Sequence, residues 1–571
     1  MMNSYRVQLM VLMLGVAAAS SASALNPYSP SAGESYRKLP DAKKGGALNI
    51  HTLSNPKVLN PLLVTDIDFA DALPWVFSQL MQVDEETGEY TPLLAEKLDV
   101  TKDRKTLTYT LRKEAVWEDG TPVTTDDAEF TFNTLMDTKT EAAPQRAYFE
   151  GYTFEKVDAH TFKFHVAKPN VNTVDFANDS FQIIQKKQYA GVPNFNKAKG
   201  IIEPIGNGPM KLKIFSRDQK VEFERVKNWW GYQIPELKNL YNFDTIAMRI
   251  IPDPSLAYER LIKGDLDVLY MNAETYGFRV RTNDKDKFGK DSSTDKALWA
   301  DHFKTKGPAQ WQYVGWNNLK PLFQSKKTRQ ALAHLVNYEE IISKVYYGEG
   351  IRSVSPFGSL TPNTAPDQKS KAFDYSIQKG VQELKDDGWA DVDHDGTIAK
   401  TIDGKKVKFE FTLRYNSENP LRGKMAQIIK EDFKKAGIKV NVQAVEFNTL
   451  LNYVDTHDYD AVLLSWGNGM LHSDSKQIWY SKSSENKGSN FVSYNNPEVD
   501  KLIEQATSEL DGDKHFKLNQ KIGAMIYDDQ PYAFVVEIPG FMAGFQTRKV
   551  ASKKWVQKYD MKPAYRMYYA P

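Results

Sequence analysis

The sequence predicts an α/β fold, and three observations carry the prediction. Residues 406–467 read in order as strand, helix, strand, helix, strand. The last of those strands, Tyr459-Asp460-Ala461-Val462-Leu463-Leu464-Ser465-Trp466, is a nearly continuous apolar run, the pattern of a strand covered on both faces. Elsewhere, segments of period two alternate with helices that carry one apolar face.

Along the chain, residues 47–53 read as a strand, followed by Leu59-Asn60-Pro61-Leu62. Residues 106–112 alternate, with Leu107, Tyr109 and Leu111 facing one way and Thr108, Thr110 and Arg112 the other, which marks a half-buried strand. Phe162, Phe164 and Val166 repeat the pattern against Lys163 and His165. Residues 210–215 and 220–226 flank Ser216-Arg217-Asp218-Gln219 and predict a β-hairpin. The stretch 279–306 is rich in Lys and Asp and predicts an exposed loop or a crossover. Residues 326–346 predict one helix, with Leu332, Leu335, Val336, Ile342 and Val345 on its apolar face.

The unit from 406 onward is the most informative. Val407, Phe409, Phe411, Leu413 and Tyr415 alternate as a strand. A helix over 422–436 carries Met425, Ile428, Ile429 and Phe433 and stops at Gly437. Ile438, Val440 and Val442 form the next strand, and 447–456 a short helix. This order implies parallel strands joined by right-handed crossovers. Ligands of open α/β sheets sit beyond the carboxyl ends of such strands. That places Ser465, Trp466, Gly467 and Asn468 at the mouth of a crevice.

Composition narrows the function. The chain has 571 residues, with 74 Lys and Arg against 73 Asp and Glu. It lacks the cationic excess that a general nucleic-acid binder uses to neutralise phosphates. Apolar residues make up 41% and charged residues 26%, a globular composition. The length suggests about three or four domain-sized units. With 29 Tyr, 29 Phe and 11 Trp, aromatic material suffices for cavity walls as well as cores. The absence of cysteine excludes disulfides, thiolate metal sites, cysteine nucleophiles and lipid attachment through cysteine.

Residues 1–24 predict a cleaved secretory signal peptide. Arg6 precedes an apolar run over 9–19, and Ala22-Ser23-Ala24 supplies the small-residue cleavage site. The run is shorter than the roughly 20 residues that a membrane span needs. An exported, soluble protein is expected.

Catalytic motifs are missing: no G-x-S-x-G elbow, H-E-x-x-H helix or G-x-x-x-x-G-K-[ST] loop occurs. None of the nine His residues are three or four apart, so no helix offers two imidazoles on one face to a metal. His334 reads as a packed helix residue. No cofactor and no metal is expected. One cluster, Asp391-Val392-Asp393-His394-Asp395-Gly396, has the order of the first half of a calcium loop. Its twelfth position is Ile402 instead of the bidentate Glu, so Asp391, Asp393 and Asp395 read as a helix-to-strand turn, with a structural cation as the alternative.

Several blocks line up in a recognisable series. After Leu59-Asn60-Pro61-Leu62 come Pro92-Leu93-Leu94-Ala95-Glu96-Lys97-Leu98 and then Leu111-Arg112 running into Trp117-Glu118-Asp119-Gly120-Thr121-Pro122-Val123-Thr124. Gly206-Asn207-Gly208-Pro209, Lys327-Thr328-Arg329-Gln330-Ala331-Leu332 and Tyr494-Asn495-Asn496-Pro497 follow. The series resembles the family 5 extracellular solute-binding proteins, the peptide and nickel class of ABC-importer binding components. The W-x-D-G-x-P block is specific to that family, and the likeness covers nearly all of the chain after residue 24.

The resemblance implies a bilobal periplasmic-binding-protein fold, with two α/β lobes around a hinge and ligand cleft and an extra third domain. Lobe I would comprise 25–68, 203–308 and 528–571, the extra domain 69–202, and lobe II 309–527. It implies capture of di- or oligopeptides by lobe closure and delivery to membrane permease subunits, by a monomer in the periplasm of a Gram-negative cell, without catalysis. Carried over by position, Phe447 would be an aromatic wall residue, and the backbone of Ser465, Trp466 and Gly467 would meet the ligand. Thr65, Asp66 and Ile67 would line the cleft, as would Tyr148 from the extra domain. Peptide binders of the family place an Asp shortly after the Trp to pair with the ligand's α-ammonium; here Asn468 follows Gly467, and the first carboxylate is Asp474. Asp474, Asp66 or Asp68 would take that duty, or the ligand has no free N-terminus. The alternatives are the same transport role for a metal chelate, a sugar or a modified peptide, and a secreted hydrolase with a peptide-like cleft.

Overall fold

The computed structural model describes residues 44–549 except 54, 57, 64–71, 84–89, 193, 197–203, 238–240, 291–292, 305–309, 468–471 and 486–487. The expected signal segment lies outside the described residues. The described residues divide into two compact units, one formed by 310–539 and the other by the described residues on either side of it. No described helix is long and apolar enough to cross a membrane.

The first unit is built on an eight-stranded sheet. Ala47–Thr52 lies parallel to Thr245–Ile250 and to Val268–Met271. The expected hairpin, Met210–Ser216 with Lys220–Arg225, extends one edge through Thr245–Ile250. At the other side Phe541–Gln546 inserts antiparallel between Val268–Met271 and Leu298–Phe303. That last strand corrects the reading of 279–306 as loop or crossover. Leu298, Trp299 and Ala300 are buried, and Trp299 stacks on Phe545 at 4.3 Å. The polar residues around this short apolar run hide it from any periodicity test.

A four-stranded antiparallel sheet in the same unit runs Ala95–Val100, Thr106–Leu111, Thr161–Val166, Tyr152–Lys156. Tyr109, Phe162 and Phe164 turn inward from it, and Tyr109 stacks on Phe162 at 5.2 Å. The helix Thr125–Met136 starts at a capping box between Thr124 and Asp127. Trp117 belongs to this scaffold: it is buried, and its Nε1 donates to Asp127 Oδ2 at 3.2 Å.

The second unit carries a six-stranded sheet ordered Ile351–Arg352, Tyr532–Ile538, Gln310–Trp316, Ala461–Gly467, Glu410–Asn416, Lys439–Val445. Glu410–Asn416 is parallel to both Lys439–Val445 and Ala461–Gly467, as the strand-helix order requires. Gln310–Trp316 is antiparallel to its two neighbours.

Three expectations need correction here. Tyr532–Ile538, assigned to lobe I by the boundary at 528, pairs with Gln310–Trp316 in this sheet, so the chain leaves the unit after Pro539. An all-buried apolar strand satisfies either lobe equally well, and only pairing decides. The strand expected from Val407 is split. Lys405–Lys408 forms a hairpin with Ala399–Ile402, turned by Asp403 and Gly404 at positive φ, and the sheet strand begins at Glu410. The single helix expected over 326–346 ends at His334; Asn337 starts a new turn by accepting from Glu340 N.

Candidate functional site at the carboxyl edge of the parallel strands

The helix Pro420–Lys435 fixes the local geometry. Asn419 caps it by accepting from Arg422 N at 3.2 Å, and Pro420 opens its first turn. Met425, Ala426, Ile429 and Phe433 are buried along it. This brings Arg422 to the edge where the parallel strands end. Its Nε donates to Gln312 Oε1 at 3.0 Å, its Nη1 to Asn416 Oδ1 at 2.5 Å and its Nη2 to Ser465 Oγ at 2.7 Å. One guanidinium thus ties together three strands, Gln310–Trp316, Glu410–Asn416 and Ala461–Gly467. Planar donors in a fixed fork suit this bracing role.

Phe447 opens the helix Phe447–Asp455 and is half-buried. Its backbone N–H donates to Glu418 Oε1 at 3.0 Å, and Glu446 caps the helix by accepting from Thr449 N at 2.9 Å. The amides of Asn448 and Thr449 hold the Glu446 carboxyl below its usual range. Ser465 and Gly467 are also half-buried. Trp466 points the other way: it is buried, stacks on Phe491 at 5.0 Å, and its Nε1 donates to Tyr532 OH at 3.2 Å. Its side chain is packed in the core of the unit, so only its backbone reaches the edge.

Beyond the strand end, Asp474 is solvent-accessible, and its Oδ1 accepts from Lys476 N at 2.8 Å. Desolvation by the protein around it nevertheless pushes its carboxyl up from the ordinary value. The backbone beside it is fixed by a buried polar network. Asn519 Nδ2 donates to Ser473 O at 3.0 Å and to Asn363 Oδ1 at 2.8 Å, and Ser475 Oγ donates to Asn519 Oδ1 at 2.9 Å.

Thr65, Asp66, Ile67, Asp68 and Asn468 lie outside the described residues. Tyr148 belongs to the first unit, where its ring is 4.8 Å from that of Phe176. The Asp391–Asp395 segment is a turn: Asp391 accepts from Asp395 N at 3.1 Å and Gly396 N at 3.0 Å. Asp393 pairs with Lys406, and Asp395 with Lys408 at 2.5 Å. These carboxylates spend their charge on lysines instead of converging on a cation. Among the described residues no group of three or more His, Asp or Glu could hold a metal.

Sequence reasoning missed Arg422, Gln312 and Asn416. A charged residue in a first helical turn reads as solvated, although Asn419-Pro420 marked the helix start two residues before it.

A family model described as bacterial extracellular solute-binding proteins, family 5, middle region, matches residues 89–488. The chain belongs to this family. The oligopeptide-binding protein AppA of Bacillus subtilis is 30% identical over 536 residues, spanning 92% of this chain and 91% of that protein. The dipeptide-binding protein of Escherichia coli is 25% identical, over 84% of this chain and 86% of its own length. Among solved structures, Bacillus subtilis AppA in complex with a nonapeptide matches with a TM-score of 0.74 and 27% identity, covering 93% of this chain and all of that one. NikZ of Campylobacter jejuni, in complex with Ni(L-His), matches with a TM-score of 0.71 at 22% identity, covering 90% of this chain and 96% of that one, and so speaks for the fold alone. The fold is that of the family 5 periplasmic binding proteins, as the resemblance implied.

Proposed function

We propose that this protein captures peptides in the periplasm and delivers them to the permease subunits of an ABC importer, without altering them chemically. The observation that carries the reading is the match to an oligopeptide-binding protein across 92% of this chain. The physical mechanism is closure of two lobes over the ligand, which shifts the open–closed population only through contacts that differ between the two states. The backbone at Ser465–Gly467 would pair with peptide main chain in the manner of strand addition, while Phe447 forms a wall for a side chain. Main-chain pairing is common to all peptides and lets one site accept many sequences. The α-ammonium of the ligand needs an acceptor once desolvated. Asp474 is the candidate among the described residues, with Asp66 and Asp68 as the others that the sequence offers. Thr65, Ile67 and Tyr148 complete the lining that the family implies.

The test is native mass spectrometry of the protein purified from its own host. A co-purifying ladder of short peptide masses supports the reading. One defined non-peptide mass replaces the peptide by a chelate, a sugar or a modified peptide. Cleavage of bound peptide by the purified protein overturns the non-enzymatic reading.

A further inference from the structure

The helices Pro497–Ser508 and Gly512–Asp529 of the second unit pack against each other and leave a groove of about 490 Å³ beside them. The first helix lines it with Gln505 and Ser508, the second with Lys514, Lys517 and Lys521. Steps of three and four residues put the lysines on one stripe, spread over about 10 Å of helix axis. All three are exposed, and none forms an ion pair among the described residues. On other helices of the same unit Lys326, Lys344 and Lys435 each pair with a carboxylate. The lining contributes one acid, Glu509, whose Oε1 accepts from the backbone N–H groups of Leu510 and Asp511, both at 2.9 Å. Beside the groove Asp511 caps the helix by accepting from Lys514 N at 3.0 Å; that amide, with the charges of Lys514 and Lys517, holds its carboxyl below the usual range. Three lysines against one carboxylate leave the groove positive. Lys514 also stands in the first turn, at the positive end of the helix dipole, where an acid is the stabilising choice. Helix stability therefore does not account for a cation there.

The shape of the groove selects among anionic occupants. A membrane surface is flat and holds a protein by inserted apolar side chains as well as by charge. None of the exposed large apolar residues among those described belongs to either helix, and Leu518 is half-buried in the groove wall. A single phosphate is too small to meet cations spread over about 10 Å. In an extended peptide, alternate side chains share one face and stand about 7 Å apart, so successive acids reach successive lysines. The Gln505 amide and the Ser508 hydroxyl add polar groups on the opposite wall.

We propose that this groove docks an extended acidic segment of a partner protein, with Lys514, Lys517 and Lys521 meeting its carboxylates. The inference goes beyond ligand capture and does not depend on which ligand the protein carries.

The experiment uses the full mature protein and a rhodamine-labelled decapeptide of alternating Glu and Thr, blocked at both ends, with the Gln-Thr decapeptide as its neutral counterpart. Binding is read by fluorescence anisotropy. At about 20 mM salt the acidic probe should bind about tenfold more tightly than the neutral one, as two or three exposed ion pairs would give, and the difference should vanish at about 300 mM. Joint replacement Lys514→Gln, Lys517→Gln and Lys521→Gln should remove the tenfold and leave both the melting temperature and the neutral probe's affinity unchanged. Lys102→Gln, Lys113→Gln and Lys168→Gln remove the same charge from exposed positions of the first unit and should leave the tenfold in place. Equal binding of the two probes, a preference that survives the groove substitutions, or one that falls equally with the control substitutions overturns the inference and leaves the peptide reading standing. Sedimentation with phosphatidylglycerol vesicles that depends on the groove lysines, without a preference for the acidic probe, replaces the protein partner by a membrane.

Discussion

Glu537 gives a stability prediction whose sign and size follow from its surroundings. It lies on Tyr532–Ile538, two residues before the point where the chain leaves the second unit, and is fully buried. Its Oε1 accepts from Ser353 Oγ at 3.0 Å, Ser359 Oγ at 2.7 Å and Ser359 N at 2.8 Å, and its Oε2 accepts from Ser359 N at 2.9 Å. All of these donors are neutral. Burial outweighs them and pushes the carboxyl from 4.5 up to about 7. The folded state therefore holds this proton more tightly than the unfolded chain. The associated stability is fully present below about pH 4.5 and is lost as pH rises through 7. A shift of about 2.5 units at about 1.4 kcal/mol per unit gives a loss of about 3 kcal/mol by pH 8. Glu537→Gln removes the titration and keeps the shape. It should stabilise the unit by about 2–3 kcal/mol at pH 8 and by almost nothing at pH 5. A chain of two units need not unfold in one step, so the readout is hydrogen exchange of the Tyr532–Ile538 amides, which reports the opening free energy of this sheet. Equal stabilisation at both pH values, or a wild type whose strand is no less protected at pH 8 than at pH 5, refutes the reasoning.

Other predictions concern separate parts of the molecule. Tyr90 OH lies 3.0 Å from Asp175 Oδ1 and 3.1 Å from Asp179 Oδ2, and burial pushes both carboxyls up, Asp175 to about 7. Tyr90→Phe should cost about 1–3 kcal/mol, more at pH 8, where an ionised Asp175 has lost its donor, than at pH 5, as thermal melts would record. Gly208→Ala would place a Cβ 2.3 Å from the Trp75 carbonyl oxygen, and the backbone there cannot yield; a loss of about 1–3 kcal/mol is expected in denaturant titrations. Phe447→Ala should weaken retention of peptides about tenfold or more while the melting temperature holds, because the ring is half-buried on a rim. Calcium or a chelator should leave the melting temperature unchanged, since Asp393 and Asp395 are already paired with lysines; a rise of several degrees on adding calcium would restore the cation reading of that turn.

How much of this was legible follows from what each signal measures. Period and run length report which faces of a segment are covered, and that was enough for the parallel strands and their helices between 410 and 467. The same signals are blind to pairing. Tyr532–Ile538 is apolar in either lobe, and its membership was settled by seven residues more than two hundred positions upstream, Gln310–Trp316. Leu298–Phe303 is a strand for the same non-local reason: Phe541–Gln546 lies beside it. Short-range turn chemistry, by contrast, was present and passed over: Asp403-Gly404 is the dipeptide that a tight hairpin prefers.

The site divides along the same line. Ser465 and Gly467 were reachable because the end of a parallel strand is a position that sequence order defines. Trp466 was named with them, yet alternation alone turns its side chain to the opposite face, and the aromatic residues waiting there, Phe491 and Tyr532, come from distant segments. Arg422 was invisible because a charged residue on a helix is normally solvated. Here the helix start is clamped by Asn419 and Pro420 so that the guanidinium is carried inward against three strands. Its three hydrogen bonds to Gln312, Asn416 and Ser465 offset the cost of burying it and hold the strand ends together.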